Sequence, residues 1–254
     1  MSEFLDTHRA TAEDLLDEAL PFLLTGKLRY DGLLRFCESY RIKGIVHVLL
    51  DGRPDRLHVN LHNSGRSFRH GLFSLPSAQI VVSRALPLFD ATASNDVACA
   101  SAIARALPTG WKRDVEYEDD YLYFSLFGKW VLSAPPAERE DLLERLAALA
   151  DEADPRLAAM RALSKGDADS FDTAVDAVST MYQQRLRQFA GGGKISDEAA
   201  DTLPFFCAEG LALIRLAERE GLSLRPEHML VPSMVRPDFS SSYGENDWRL
   251  PRAP

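Results

Sequence analysis

Cysteine is scarce in this chain of 254 residues: the three present, Cys37, Cys99 and Cys207, are odd in number and far apart. Disulfide frameworks and structural zinc sites need closely paired cysteines, so neither is expected; buried, reduced thiols are, and they suit a reducing cytoplasm. Long apolar runs are also missing. The best of them, residues 44–50, contains His47 and falls far short of the roughly 18 apolar residues that a membrane helix needs. The opening MSEFLDTHRA carries Glu3 and Asp6 and lacks the basic and apolar regions of a secretory leader, so a soluble, cytoplasmic protein is expected. Positive charge is in deficit too, with 29 Lys plus Arg against 38 Asp plus Glu and a net charge of −9. Direct nucleic-acid binding depends on clustered cations that displace counterions from phosphate, and this composition argues against it. A basic protein partner fits the same charge, because complementary fields speed encounter.

What the chain does have is helical periodicity. Leu142, Leu143, Leu146 and Leu149 form one stripe after the breaker Ser133-Ala134-Pro135-Pro136, with Ser133 the expected cap. Phe171, Val175, Val178, Tyr182, Leu186 and Phe189 form another, begun by Asp167 or Asp169 and stopped by Gly191-Gly192-Gly193. A third helix is expected over residues 203–220, central in the fold, with Gly221 as its left-handed cap. Thr11-Ala12-Glu13-Asp14 reads as the capped start of an amphipathic helix, and residues 33–50, 94–107 and 121–132 read as further helices. Over 53–73 the pattern is ambiguous. Leu57, Val59 and Leu61 alternate with His58, Asn60 and His62 as in a strand, so a short hairpin near 56–73 competes there with loop. The expectation is a mostly all-α protein: one domain of packed antiparallel helices over 1–235, helical-repeat-like, then an extended polar tail, 236–254, with prolines at 237, 251 and 254.

Chemistry is harder to find. His58 and His62, four apart, would share a helical face as in a zinc protease, but position 59 is Val where the general-base Glu belongs, and no metal site is expected. Asn63-Ser64-Gly65-Arg66-Ser67 lacks the first glycine of a nucleophile elbow. Gly191-Gly192-Gly193-Lys194 follows a helix and has no Ser or Thr after the lysine, so it reads as a turn and not a phosphate loop. Asp167-x-Asp169 reads as helix capping, because the distal Glu of a calcium loop is missing. One segment is unusual: residues 114–121 put Asp114, Glu116, Glu118, Asp119 and Asp120 beside Tyr117 and Tyr121, with Tyr123 and Phe124 following. Capping and solvation of a helix start is the simplest account. The functional account is a partner-binding surface of Glu116, Glu118, Asp119, Asp120, Tyr121 and Tyr123 that receives a basic protein. Charge is unevenly placed as well, with ten Lys or Arg against four Asp or Glu over 27–84, set between acidic ends.

The order of segments carries a resemblance. Asp96-x-x-Cys99, Pro108, Glu116-Tyr117-Glu118-Asp119-Asp120-Tyr121-Leu122-Tyr123-Phe124, Ala162-Leu163-x-x-Gly166-Asp167-x-x-x-Phe171, Leu203-Pro204 and Leu230-Val231-Pro232 follow one another. The chain thus resembles the immunity protein 49 family of bacterial polymorphic toxin systems, best over residues 80–235. The resemblance implies a helical, cytoplasmic, non-enzymatic protein without cofactor. It would bind a toxin encoded nearby and protect the producing cell and its kin. The histidine-rich first third and the tail depart from that pattern, and the family supplies no catalytic residues to carry over. If the toxin is an intracellularly acting nuclease, its surface must be basic, and an acidic inhibitor can imitate its substrate. Two alternatives stand beside this reading: a helical adaptor or regulatory scaffold, and an enzyme with a metal–carboxylate site at 114–120 joined by His47, His58 or His62.

Overall fold

Short breakers, not long linkers, separate the periodic segments, so consecutive helices must fold back on one another. A computed structural model describes residues 2–252. It contains α1 (Ser2–Leu24), α2 (Tyr30–Asp51), α3 (Pro54–Leu72), α4 (Pro87–Ala93), α5 (Val97–Ala106), α6 (Glu118–Val131), α7 (Pro136–Leu149), α8 (Pro155–Lys165), α9 (Ala168–Gly191), α10 (Asp197–Thr202) and α11 (Ala208–Arg219). Among the described residues there is no β-strand, only the isolated bridge between His228 and Val231. The protein is a single all-α domain.

The chain packs largely in sequence: α1 on α2, α2 on α3, α6 on α7, and α8 on α9. The exception is α4, seven residues long and buried throughout, which lies against α3, α5 and α11. Its Phe89 ring meets Phe124 and Phe127 of α6 at 4.9 and 4.7 Å, so the short helix supplies the hub of the core. Such close approach needs a small residue opposite. A Cβ on Gly65 of α3 would stand 2.7 Å from Ala91 Cβ and 3.1 Å from its Cα, closer than packed carbons tolerate.

Caps explain most boundaries. Asp96 accepts the Cys99 N–H, Asp154 those of Arg156 and Leu157, and Asp167 that of Ser170. The cap expected of Ser133 is not made. That residue takes φ +49° just after α6, and Pro135 precedes α7 without a side-chain cap. Thr11 is likewise not a start: α1 is helical from Ser2, and Leu5, Ala12, Leu16 and Leu23 form its buried stripe. The third helix of the second half begins only at Ala208, because Pro204 holds Leu203–Phe205 as a 3₁₀ turn, and Gly221 ends it at φ +85°.

Two larger expectations are overturned. The hairpin near 56–73 is α3, started by Pro54 at its first position. Leu57, Leu61 and Phe68 give the helical stripe, but His58, Asn60, His62, Asn63, Ser64 and Ser67 are buried with them. The local alternation of Leu57, Val59 and Leu61 with His58, Asn60 and His62 masks the longer helical stripe of the whole segment. The tail at 236–254 is not a free extension, because residues 236–252 fold back over α3. Trp248 is buried, and its carbonyl accepts the Tyr40 hydroxyl at 2.6 Å. Tyr243 donates to Ser94 O (2.6 Å), Arg215 to Pro237 O, and Arg252 pairs with Asp14 and Asp17 of α1.

Candidate functional site

The acidic segment 114–121 shows how a surface expectation turns inward. Glu118, Asp119 and Asp120 fall in the first turn of α6, where the helix dipole favours carboxylates. Glu116, just before it, is buried and accepts the Ser83 N–H at 2.8 Å. Tyr121 is buried too and gives its hydroxyl to the Thr109 carbonyl. Tyr123 is 1% exposed, and the Arg156 guanidinium lies over its ring at 4.7 Å. Asp120 is tied to Arg156 Nη1 at 3.0 Å; burial nonetheless raises its pKa above the ordinary carboxylate value, against the pull of that arginine. Thus Glu116, Tyr121 and Tyr123 do not form a contact surface. They belong to the core because α6 is enclosed by α5 and α7, and an enclosed helix buries its tyrosines. Glu118 and Asp119 stay half-buried, with Glu118 3.9 Å from Arg145. The exposed side chains of the segment are Asp114, Val115 and Tyr117, the last 79% exposed; the expected site left all three out.

Helical α3 does bring His58 and His62 one turn apart, but they face the tail instead of a metal. His58 lies 4.9 Å from the Phe239 ring, His62 stacks on Tyr243 at 4.3 Å, and His70 lies 4.9 Å from Trp248. His58 donates from Nε2 to Val235 O at 2.7 Å, and burial pushes its pKa down to about 4, that bond opposing. His62 Nδ1 is 3.0 Å from Asp96 Oδ2. Burial works against ionisation of Asp96, but His62, the Cys99 N–H and Arg66 outweigh it and hold the carboxyl at about 2. His47, on α2, pairs with Asp51. Among the described residues no three His, Cys, Asp or Glu side chains converge as metal ligands. Around His62, Arg66, Asn95, Asp96, Ser240 and Tyr243 lies an open cleft of about 410 Å³. Asp96 there is already engaged in capping α5 and pairing, which is structural work.

Two buried charge clusters were invisible in the sequence because their members lie about 50 positions apart. Arg41 reaches Asp90 with two bonds (2.9 and 2.7 Å), and Ser64 adds a third at 2.6 Å. Arg156 reaches Glu209 with two more (2.7 and 2.9 Å). These bidentate pairs fasten α2 to α4 and α8 to α11. The three cysteines are buried and free, as expected, and burial lifts each thiol to about 12, which leaves it inert. Helix α1 carries large exposed apolar side chains at Phe4, Leu15 and Phe22.

No model of a known protein family, no curated protein and no solved structure matches the chain. Among the described residues no helix is long and apolar enough to cross a membrane.

Proposed function

We propose that this protein is an immunity protein: it binds a cognate antibacterial toxin encoded beside it and neutralises it in the cytoplasm of the producing cell and its kin. The observation that carries the reading is the ordered set of segments from Asp96 to Pro232 that resembles the immunity protein 49 family. In the fold those segments are structural. Cys99, Phe124, Leu163, Phe171 and Val231 are core, Asp96 and Asp167 are caps, and Gly166 closes α8 at φ +68°. A family of stoichiometric binders with no shared chemistry would be recognised by such scaffold positions, because its contact residues vary with the toxin. The net charge of −9 agrees with a basic target, for which an intracellular nuclease is the chemistry favoured here. The helical adaptor is the second reading, and the path of residues 236–252 along α3 favours it, since a partner segment of similar chemistry could lie there.

Expressing the neighbouring reading frame alone, then together with this chain, tests the proposal. Killing by the first, rescue by the second and a stable complex between the two are the expected results; a harmless neighbour would favour the adaptor.

A further inference from the structure

Among the described residues, Arg252 of the C-terminal segment reaches Asp14 and Asp17 on α1, while large apolar side chains on the outer face of this helix stay exposed. A helix advances 100° per residue, so residues 4, 15 and 22, separated by 11 and 7, return to within about 20° of one line. Phe4, Leu15 and Phe22 occupy it, each at least half exposed, over a length of about 27 Å at 1.5 Å per residue. This stripe is distinct from the buried one of Leu5, Ala12, Leu16 and Leu23, which holds α1 to the domain. Beyond the carboxyl end of α1, Gly26 abuts Ser74, and the preceding Phe73 is 71% exposed. Exposed apolar side chains aligned on one helix face suit an interaction site.

Its border selects the occupant. Glu3, Asp14 and Glu18 run along the solvent side of the stripe, and residues 1–26 sum to −5. Asp14 is answered by Arg252, whereas Glu3 and Glu18 have no ion-pair partner among the described residues. A second copy of this chain would set acid against acid, and an anionic membrane surface would be repelled. A protein segment with apolar side chains between Lys or Arg matches both features.

Resting on the immunity reading, we infer that the Phe4–Leu15–Phe22 face of α1, with Glu3 and Glu18 beside it, is the docking surface for a basic, amphipathic segment of the toxin. The stripe supplies the desolvated contact, and the acids steer the partner onto it.

The test uses the purified product of the adjacent reading frame with the full chain in three versions. A Leu15→Glu/Phe22→Glu variant should lose affinity by about 100-fold, as truncated interface anchors do. A Glu3→Lys/Glu18→Lys variant, which alters only exposed charge, should associate about tenfold more slowly at low salt and lose most of the salt dependence of the rate. Leu149→Glu, on exposed α7 surface, should bind like the wild type. Thermal melts superimposable on wild type establish that the variants are folded. Wild-type affinity in both α1 variants would overturn this docking surface and leave the immunity reading standing. Failure of the wild-type chain to bind or rescue would overturn both.

Discussion

At the scale of single residues, the most consequential groups are charges with no water around them. Asp90 is 0% exposed and holds its position through Arg41 and Ser64. Removing it leaves the Arg41 guanidinium buried and unpaired, so Asp90→Ala should cost about 3–5 kcal/mol in urea unfolding. Replacing the pair together by apolar residues of similar volume should cost far less, because the desolvation penalty disappears with the charges. His58 sets a pH dependence. Its pKa in the folded protein is about 4, below the ordinary 6.5, so the fold favours the neutral ring and its contribution is complete above pH 6.5. As pH falls from 6.5 towards 4, the unfolded chain takes up a proton that the folded chain refuses, and up to about 3 kcal/mol of stability should be lost. Urea titrations at pH 7 and 4.5 should show that loss in the wild type and a smaller one in His58→Gln, the difference being the share of His58. Little of this was legible beforehand. The buried cysteines and the Asp167 cap follow from residue type and local spacing, whereas Arg41–Asp90 and Arg156–Glu209 join positions that only the tertiary fold brings together.

At the scale of elements, the stripe of α9 is readable and that of α3 is not, although α6, itself enclosed, also reads as a helix. The stripe of α9 is clear because the opposite side of that helix is solvated, and its start and stop are written in Asp167 and Gly191-Gly192-Gly193. Enclosed α3 carries polar groups on its buried side, and its alternation imitates a strand. The C-terminal segment misleads for the opposite reason. Its composition is that of a tail, yet a few anchors fix it: Trp248, Tyr243 and the carbonyls that accept from Tyr40 and Arg215. Burial of one aromatic side chain decides between a packed segment and a loose one. Trp248→Ala should destabilise the whole domain by about 3–5 kcal/mol, as loss of a core aromatic does, and should raise amide exchange along α3, read by hydrogen–deuterium exchange. A variant indistinguishable from wild type would mean that residues 236–252 do not hold the fold.

At the scale of the whole molecule, the uneven charge of the sequence acquires addresses. Much of the basic stretch at 27–84 is consumed internally: Arg41 by Asp90, Lys43 by Glu13, Arg66 by Asp96 and Arg84 by Asp31. The acidic corner of α6 is largely consumed as well, with Glu116 bonded to backbone and Asp120 to Arg156, so reversing those two charges would damage the fold before it tested any partner. Glu118 and Asp119 can be reversed safely, being half-buried and at most loosely paired. That makes them the control for where the negative field acts. With docking on α1, a Glu118→Lys/Asp119→Lys variant should bind the toxin within about threefold of wild type, since exposed charges more than a Debye length of about 8 Å from the contact are screened at physiological salt. The comparison is made by calorimetry at physiological ionic strength and again at about 1 M salt, where screening shortens to about 3 Å. A loss of tenfold or more at the lower salt, recovered relative to wild type at the higher, would move the steering surface from α1 back to the start of α6. The excess of nine negative charges would then act through the corner that the sequence singled out, with Tyr117 in place of Tyr121 and Tyr123 as its exposed aromatic.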